Sequence, residues 1–573
     1  MSQIITIDEQ CFANLREKNC FYIDKTKFIK NWWLQGDPIT LVTRPRRFGK
    51  TLMVDAGRTF FSPEFANRSD LFEGLEIWED EKFRNLQGKI PVIFLSFAKF
   101  NDNTYEKTIS RIKESLASIY DSFASYIDIN AISMHGKELF THTHKSMSDV
   151  EAKNSLHYLC HFMKLQQKIR PIIILDAYDT PLIHAWLNGY FDELINFMRV
   201  FFASTFKTNP YLERALITGI TLIDDKSLFS YLNNNFSTVT SDIYSDCFGF
   251  TEHEVFKAMD TYGLTNKEEV KKLYGGFIFG DQKEIYNPWD IINFLSNKKL
   301  DTYWANTSSN SLVSDLLISS DQIVKRQTES LLNGKSIMTK LKEEIVFDQP
   351  YTQQVDIWSL LMAAGYVKPL AIDTAYDKYE LTLTNFEARI ILENKISEWF
   401  EELKNSDDNN FIKALLENNL YLMNKIMDEI VIRTFNYFDP KNKVQNDKYK
   451  SECFYHCFVL ALLVNLKDRY SISSNRKSGY GRYDICLYPK TLCDPGIVIE
   501  FKVIDTDKEE NLKKTCDNAL KQIKEKSYIT DLLAHNVPKN NIYVYGFAFQ
   551  GKNVLISGGA EEKIDWMSIL PTA

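Results

Sequence analysis

The sequence predicts an α/β protein in three parts: a parallel-sheet domain over residues 1–290, a helical middle region over 291–440, and a second α/β domain over 445–573. Three observations support this division. Short continuous apolar runs alternate with helical patterns up to about residue 260, which is typical of parallel strands covered on both faces. Apolar residues then recur at intervals of three and four. A polar stretch over 436–450 separates these helical segments from a further set of strands, and we predict an inter-domain linker there.

Length and composition set the class of protein. A chain of 573 residues is too long for one core, and 44% hydrophobic with 25% charged residues is typical of folded proteins. The net charge of -8 gives no whole-molecule attraction for phosphates, so any nucleic-acid contact needs a local basic surface.

Cysteine spacing and hydropathy predict a location. The nine cysteines show no CxxC pairs, so we expect reduced thiols, no zinc and no disulfides. The amino terminus lacks a basic start followed by an apolar run, and no stretch of about 18 apolar residues occurs. We therefore expect a cytoplasmic protein that does not span a membrane.

The first domain contains four predicted strands. They cover Ile39–Val42, Pro91–Phe97, Ile172–Leu175 and Arg214–Ile220. The third is continuously apolar and is flanked by helical patterns, as expected for a parallel strand inside a sheet.

A phosphate-binding loop is predicted after the first strand. The segment LVTRPRRFGKTL follows that strand and opens a helix, and its GKT matches the end of a Walker A motif. Lys50 would reach the β and γ phosphates of a nucleotide, and Thr51 would bind Mg²⁺. The match is incomplete, because Arg44 occupies the position of the leading glycine. The predicted nucleotide-binding residues are Arg46, Arg47, Phe48, Gly49, Lys50, Thr51, Leu52 and Asp176, of which Thr51 and Asp176 would also hold the metal.

Helical spacing predicts the remaining helices. Segments at Ser311–Ile318, Val355–Ala364 and Phe386–Lys404 belong to the middle region, and Glu452–Leu466 and Glu509–Tyr528 belong to the carboxy-terminal domain.

A cluster of charged residues is predicted in the carboxy-terminal domain. In IVIEFKV, Glu500 and Lys502 are two residues apart and leave one face of a strand, whereas Phe501 points the other way. Asp484 lies on the preceding strand and joins them if the two strands pair. Carboxylates beside an ammonium group suit phosphodiester hydrolysis, since oxygen ligands hold Mg²⁺ and the lysine can orient water or steady developing charge. The alternative is an exposed pair on an edge strand, but burying an acid among apolar neighbours requires a partner.

Aromatic and basic residues near this cluster could contact nucleic acid. Tyr480 and Arg482 precede Asp484 and are candidates for contacting a substrate. The lysines Lys514, Lys521 and Lys524 lie outside the apolar face of the helix 509–528, where a solvated face is favoured over a phosphate contact.

Several of these segments resemble a known family. GYGRYDICLYPK, IVIEFKV and ALKQIKEKSY resemble the PD-(D/E)XK nuclease superfamily, specifically the nuclease-like domain that follows an AAA-ATPase-like domain in many bacterial proteins of mostly unassigned function. FYIDKTKFI, RPRRFGKTL, TGITLIDDKSLFSYLNN, FGFTEHEV, IYNPWDI and LLMAAGYV resemble the AAA-ATPase-like part. The resemblance implies an AAA-like P-loop domain and a restriction-endonuclease-like α/β domain.

The resemblance also implies roles for individual residues. Asp484, Glu500 and Lys502 would be the catalytic triplet, with Mg²⁺ or Mn²⁺ held by Asp484 and Glu500. Gln522 would lie near this site. Glu452 would be an auxiliary metal-side carboxylate, although a plain helix-start residue fits equally. ATP with Mg²⁺ would occupy the phosphate loop.

Two departures from the family pattern concern ATP hydrolysis. PIIILDAYDTPL resembles the Walker B segment, in which a glutamate follows the aspartate, but here Ala177 follows Asp176. A general base is therefore missing where hydrolysis needs one. Asp179 could substitute, though it would point differently, and Leu222 stands where family members tend to carry arginine. Ala177 is either natural to the chain or engineered.

These observations lead to three hypotheses. The first is a nucleotide-binding nuclease whose cleavage of nucleic acid, with DNA favoured over RNA, is regulated by ATP. The second is an ATP-binding signalling or assembly protein that cuts nothing. The third, a nucleic-acid translocase, needs hydrolysis and fits Ala177 least. Resemblance to AAA modules allows a homo-oligomer but does not require one.

Overall fold

The computed structural model describes most of the chain. The described residues are 3–128, 131, 133–141, 147–207, 209–223, 228, 236–305, 322–332, 334–342, 344–345, 354–373, 378–402, 407–435, 459–460, 462–463, 466, 468–474, 477–478, 481–482, 484–491, 493–504, 509–550 and 553–569. The predicted linker 436–450 and the predicted helix Ser311–Ile318 lie outside them.

The chain folds into two compact units. The first comprises Met1–Asn310 with Met338–Ala388, and the second comprises Ser311–Ile337 with Arg389–Ala573. Residues 291–440 are thus shared between the units, and the predicted boundaries at 290 and 445 stay predictions.

A five-stranded parallel sheet forms the centre of the first unit. Its strand order is β2-β3-β4-β1-β6, and every neighbouring pair runs parallel. The strands are β1 Ile39–Thr43, β2 Val92–Ser96, β3 Ile172–Asp176, β4 Arg214–Gly219 and β6 Phe236–Ser237. All five residues of β1 and of β3 are buried, which explains their continuous apolar sequences. The four predicted strands and the parallel-sheet fold are confirmed.

Smaller sheets complete this unit. β5 pairs in parallel with β11, and the three strands β7, β9 and β8 form an antiparallel sheet in that order. Their bounds are β5 Leu222–Ile223, β7 Phe250–Thr251, β8 Phe277–Phe279, β9 Gln282–Tyr286 and β11 Glu344–Ile345.

Helices surround these strands along the chain of the first unit. They are α1 Phe12–Glu17, α2 Lys27–Gln35, α3 Lys50–Phe61, α4 Glu81–Leu86, α5 Tyr105–Phe123, α6 Met134–Thr141, α7 Asp149–Gln167, α8 Thr180–Leu187, α9 Phe191–Phe206, α10 Glu252–Thr261, α11 Lys267–Tyr274 and α12 Pro288–Asn297. The helix α3 buries Met53, Val54 and Phe60 because these apolar residues recur at helical spacing.

The middle region is helical only in part. Two predicted segments form helices, α14 Gln354–Ala363 and α15 Phe386–Glu402, but an antiparallel hairpin of β12 Val367–Asp373 and β13 Lys378–Leu383 lies between them. The strand β10 Ile337–Thr339 adds to this sheet. The sequence of β13, KYELTL, alternates polar and apolar residues, which favours a strand over a helix.

The second unit contains a mixed five-stranded sheet of order β14-β17-β18-β19-β20. Only β18 and β19 run parallel; the other neighbours are antiparallel. The strands are β14 Tyr470–Ser474, β17 Ile485–Pro489, β18 Gly496–Val503, β19 Ile542–Gln550 and β20 Asn553–Ala560, with a small hairpin of β15 Lys477–Ser478 and β16 Gly481–Arg482.

The helices of this unit are α13 Gln322–Leu332, α16 Asp407–Leu416, α17 Leu420–Phe435, α18 Leu512–Glu525, α19 Thr530–Ala534 and α20 Trp566–Ile569. The helix predicted over 509–528 is α18, which buries Cys516, Leu520 and Ile523. Among the described helices of the whole chain, none is both long enough and apolar enough to cross a bilayer.

Candidate functional site

The predicted phosphate loop, residues 44–49, connects β1 to α3 at the carboxyl edge of the parallel sheet. Gly49 precedes the helix with a φ of 76°, a conformation that glycine adopts without steric cost. The loop therefore meets a helix amino terminus, where backbone N–H groups and the helix dipole favour an anion. Asp176 ends β3 at the same edge, because the strands are parallel.

Lys50 points back into the loop. Its Nζ donates to the carbonyl oxygens of Arg44 at 2.8 Å and Pro45 at 2.7 Å. Burial lowers the pKa of Lys50 to about 8, although the nearby carboxylates of Asp179 and Asp176 oppose this shift. An anion in the loop would favour the charged ammonium group, so the lysine is suited to bind phosphate.

Thr51 and Asp176 form the pair that the motif predicts for a metal. Thr51 Oγ1 donates to Asp176 Oδ2 at 3.0 Å. A hydroxyl and a carboxylate in contact fit Mg²⁺, which usually keeps several waters and takes few protein oxygens.

Two further hydroxyls hold Asp176. Thr218 Oγ1 donates to its Oδ1 at 2.6 Å, and Ser96 Oγ donates to its Oδ2 at 3.2 Å. Ser96 pairs with Asp176 in the β2–β3 register, and Thr218 lies near the end of β4. The sequence interpretation missed both residues; a hydroxyl at the end of each neighbouring strand is the signal that could have indicated them.

Arg44, at the missing glycine position, is a buried structural residue. Its guanidinium donates to the carbonyl oxygens of Thr43, Ser237 and Thr238 at 2.8, 3.0 and 2.8 Å, and to that of Tyr244 at 3.1 Å. Burial lowers its pKa to about 10. The arginine thus ties the start of the loop to the chain after β6 and points away from a phosphate.

The remaining loop residues divide between surface and core. Arg47 Nη1 lies 3.0 Å from Asp8 Oδ1, and its guanidinium lies 4.0 Å from the ring centroid of Trp289. Leu52 is partly buried against the core in the first turn of α3.

Phe48 and Arg46 face the interior of the unit. The Phe48 ring is buried, 4.8 Å from that of Phe277, so its side chain is a core residue. Burial lowers the pKa of Arg46, whereas its electrostatic interactions with Tyr366 and Asp179 raise it.

Ala177 presents a methyl group at the end of β3. Its φ is 56°, which is uncommon for a residue other than glycine, and its N–H donates to Thr218 Oγ1 at 3.3 Å. A methyl group can neither accept a proton nor bind a metal, so position 177 supplies no general base.

Asp179 binds the backbone that follows β4. Its Oδ2 accepts the N–H groups of Ile220 at 2.8 Å and Thr221 at 2.9 Å, and the Thr221 hydroxyl at 3.0 Å. The side chain therefore anchors the turn that follows β4. Leu222, next in the chain, is buried and brings no charge to the site.

Asp484, Glu500 and Lys502 meet in the second unit. Ile485 pairs with Ile499 in the antiparallel β17–β18 register, so Asp484 stands opposite Glu500. Asp484 Oδ2 accepts the N–H of Phe501 at 2.8 Å, and Lys502 Nζ lies 3.8 Å from Glu500 Oε1. Glu500 is 2% exposed and the Lys502 side chain 28%, so the acid is buried and the lysine reaches toward solvent.

Gln522 on α18 joins this cluster. Its Nε2 donates to Glu500 Oε1 and to the Tyr528 hydroxyl, the latter at 3.1 Å. The helix can approach because Gly546, the β19 partner of Glu500, has no side chain: a Cβ there would lie 2.8 Å from the Cys516 carbonyl oxygen. Tyr528 was not predicted as a site residue.

The other predicted site residues of this unit are not described. Glu452 and Tyr480 lie outside the described residues. Arg482 is described only through its backbone, which pairs with Lys477 in the β15–β16 hairpin. Within the described part of the chain, no group of three or more His, Cys, Asp or Glu residues is arranged to hold a metal. Two carboxylates with waters still suit Mg²⁺.

Two of the three lysines considered for phosphate contact, Lys521 and Lys524 of α18, form ion pairs with neighbouring acids. Lys524 Nζ lies 2.8 Å from Glu561, and Lys521 lies 3.7 Å from Glu525. These contacts support a solvated face over a phosphate-binding surface.

Two protein-family models match separate parts of the chain. Residues 6–229 match the family described as predicted AAA-ATPase, and residues 450–558 match the PD-(D/E)XK nuclease superfamily. The chain thus combines an AAA-ATPase-like domain with a carboxy-terminal nuclease-superfamily domain, as its motifs predicted. An uncharacterized protein in the vnfD 5′ region of Azotobacter chroococcum mcd 1 is 23% identical over 578 residues, covering 98% of this chain and 99% of that protein. The Walker-type ATPase PABY2304 of Pyrococcus abyssi aligns with a TM-score of 0.34 and 13% identity, over 66% of this chain and 97% of that one.

Proposed function

We propose that the protein is a nucleotide-binding, metal-dependent nuclease in which ATP binding at the phosphate loop regulates phosphodiester cleavage of nucleic acid. The observation that carries the proposal is the hydrogen bond from the Phe501 N–H to Asp484, which holds this aspartate beside Glu500 and Lys502. The match of residues 6–229 to a predicted AAA-ATPase family supports nucleotide binding, and the match of residues 450–558 to the PD-(D/E)XK nuclease superfamily supports cleavage.

Each residue of the cluster has a chemical task. Asp484 and Glu500 would hold Mg²⁺ or Mn²⁺, which, when bound, supplies positive charge to the phosphate and acidifies a water. Lys502 orients the attacking water or steadies the charge that develops on the phosphate. Gln522 fixes the rotamer of Glu500 through its hydrogen bond.

The phosphate loop would bind ATP with little turnover. Lys50, Thr51 and Asp176 have the side chains that hold phosphate and Mg²⁺, whereas Ala177 supplies no base. ATP would then act through its binding rather than through its hydrolysis.

A second function, ATP-dependent signalling or assembly without cleavage, is favoured by Ala177 and by the apolar Leu222. It predicts no metal-dependent cleavage of any nucleic acid and oligomers that respond to ATP. A clear cleavage signal from pure protein would exclude it.

The test is cleavage of end-labelled DNA and RNA, single and double stranded, with Mg²⁺ or Mn²⁺. We expect Asp484→Ala and Glu500→Gln to lower the rate at least about a hundredfold, since each removes a metal ligand. Glu525→Gln is the matched control, because Glu525 forms an exposed ion pair on α18. Cleavage by Asp484→Ala at the wild-type rate would exclude this site.

A further inference from the structure

The segment Met338–Ala388 belongs to the same compact unit as the phosphate loop, although residues 311–337 between them belong to the other unit. It contains LLMAAGYV, residues 360–367, which the nucleotide-binding motifs do not explain. Gly365 in this motif packs directly on the loop. Its φ is 87°, and a Cβ there would lie 3.1 Å from Pro45 Cγ and 2.8 Å from Phe277 Cε1.

A row of aromatic rings connects the loop with the same motif. Phe48, just before Gly49, packs on Phe277 at 4.8 Å between ring centroids, and Phe277 packs on Trp304 at 6.0 Å. Trp304 stacks on Tyr366 at 4.9 Å with an interplanar angle of 29°. Close-packed rings of this kind transmit displacement, because interiors have few voids to absorb it.

Tyr366 also interacts electrostatically with Arg46 of the loop. Both Tyr366 and Arg46 are buried, and the two side chains interact as neighbouring ionisable groups. The motif therefore packs on the loop at Pro45, reaches Phe48 through the rings, and interacts electrostatically with Arg46.

The far end of the segment is anchored in the same neighbourhood. Glu387 is fully buried, and its Oε1 accepts the N–H groups of Trp304 at 2.8 Å and Ala305 at 3.1 Å. One residue later, at Ala388, the chain leaves the first unit. Trp304 is thus held by Glu387 through its backbone and by Tyr366 through its ring.

We propose that Gly365 and Tyr366 are positioning residues for nucleotide binding, and that the Met338–Ala388 segment is the element that responds when the loop is filled. This inference rests on the proposed binding of ATP at the loop. Lys50 must release the carbonyl oxygens of Arg44 and Pro45 to reach a phosphate. Pro45 is the residue on which Gly365 packs, so the loop and the segment move together.

The first test is the affinity of the full-length protein for ATP with Mg²⁺, measured by calorimetry. Gly365→Ala should weaken binding at least about tenfold, because the added methyl group overpacks Pro45 and Phe277. The control is Gly263→Ala: Gly263 has a φ of 71° and nothing within 4 Å of its Cβ position, so this change adds backbone strain alone. We expect the control to remain within about twofold of wild type.

Tyr366 provides a conservative pair. Tyr366→Phe keeps the ring that stacks on Trp304, and we expect ATP affinity close to wild type. Tyr366→Ala removes the ring and should weaken binding. Rescue by phenylalanine would assign the effect to the stack.

Hydrogen exchange of the wild-type protein tests the inference even if a variant fails to fold. ATP should slow exchange in residues 354–373, and Lys50→Ala should abolish this protection. Wild-type protein that binds ATP without protection there, or Gly365→Ala that binds like its control, overturns the inference. Wild-type protein that binds no ATP contradicts the proposed function itself.

Discussion

Asp290 and Glu387 bring two carboxyl groups close enough to interact electrostatically inside the first unit. Both side chains are fully buried. Two carboxylates in a low-dielectric interior cannot both ionise cheaply, so the pair retains a proton. Burial raises the pKa of Glu387 to about 7 and raises that of Asp290 well above its usual value.

This pair predicts a pH dependence of stability. The native state binds more protons than the unfolded state between the unfolded pKa of about 4 and the native pKa. The contribution of this pair to the free energy of unfolding is therefore fully present below about pH 4 and is lost as pH rises through about 7. Glu387→Gln should flatten this fall by on the order of 2–3 kcal/mol, since glutamine keeps an oxygen for the Trp304 and Ala305 N–H groups without the charge.

Urea unfolding at pH 5, 6, 7 and 8 measures this slope. Glu269→Gln, at an exposed position, is the control and should keep the wild-type slope. Parallel slopes for wild type and Glu387→Gln would show that the pair does not titrate in this range.

Ala177 leaves the end of β3 without a general base for ATP hydrolysis. Ala177→Glu restores a carboxylate next to Asp176, and we expect ATP hydrolysis to rise by about 10²-fold or more, the usual contribution of a general base. Phosphate release with Mg²⁺ measures the rate, and adding Lys50→Ala should remove the gain. Wild-type turnover equal to that of Ala177→Glu would mean that position 177 does not limit hydrolysis.

Individual side chains show the limits of the sequence-based prediction. The alternation of IVIEFKV was sufficient to indicate that Glu500 and Lys502 share a face, because strand geometry is local. The contacts of Ser96, Thr218 and Tyr528 depend on which strands and helices become neighbours. Ser96 and Thr218 stand near the ends of predicted strands, which is a signal that the sequence does carry. Tyr528 has no such position, and only the packing of the helix brings it to Gln522.

At the scale of elements, α18 approaches the sheet closely at Gly546. Gly546 of β19 lies under the helix, where a Cβ would stand 2.8 Å from Cys516 O and 3.0 Å from Ala519 Cβ. Gln522, which reaches Glu500, is on the same helix.

Gly546→Ala should therefore push α18 outward. We expect a loss of stability of about 1–3 kcal/mol from overpacking, together with slower cleavage because Gln522 moves away from Glu500. Urea unfolding and the cleavage assay measure the two effects. Full stability and activity in this variant would contradict the tight docking of the helix.

The parallel strands were predictable and the hairpin was not. Buried parallel strands such as β3 carry continuous apolar sequences that single them out. The hairpin of β12 and β13 lies between two helices, and the sequence of β12, VKPLAID, does not alternate regularly, because its pairing shifts register between Pro369 and Ala371. Arg44 was likewise predictable as a departure from the motif, but three of its carbonyl partners lie 193 to 200 residues away in sequence.

At the scale of the whole molecule, the net charge of -8 does not attract nucleic acid, so binding depends on local groups. The two units separate the two proposed activities: the side chains proposed to hold phosphate lie in the first, and two carboxylates with a lysine lie in the second. Regulation of cleavage in the second unit by ATP in the first can therefore be tested only with the full-length protein.

The most direct test of ATP-regulated cleavage is the rate at which the full-length protein cuts labelled DNA in Mg²⁺, with and without ATP. The matched variants are Lys50→Ala, with Lys82→Ala as its exposed control, and Asp484→Ala. We predict that ATP changes the rate of wild type and Lys82→Ala, that Lys50→Ala cuts at one rate regardless of ATP, and that Asp484→Ala does not cut. A wild-type rate that ignores ATP, or cleavage that survives Asp484→Ala, would contradict the proposal.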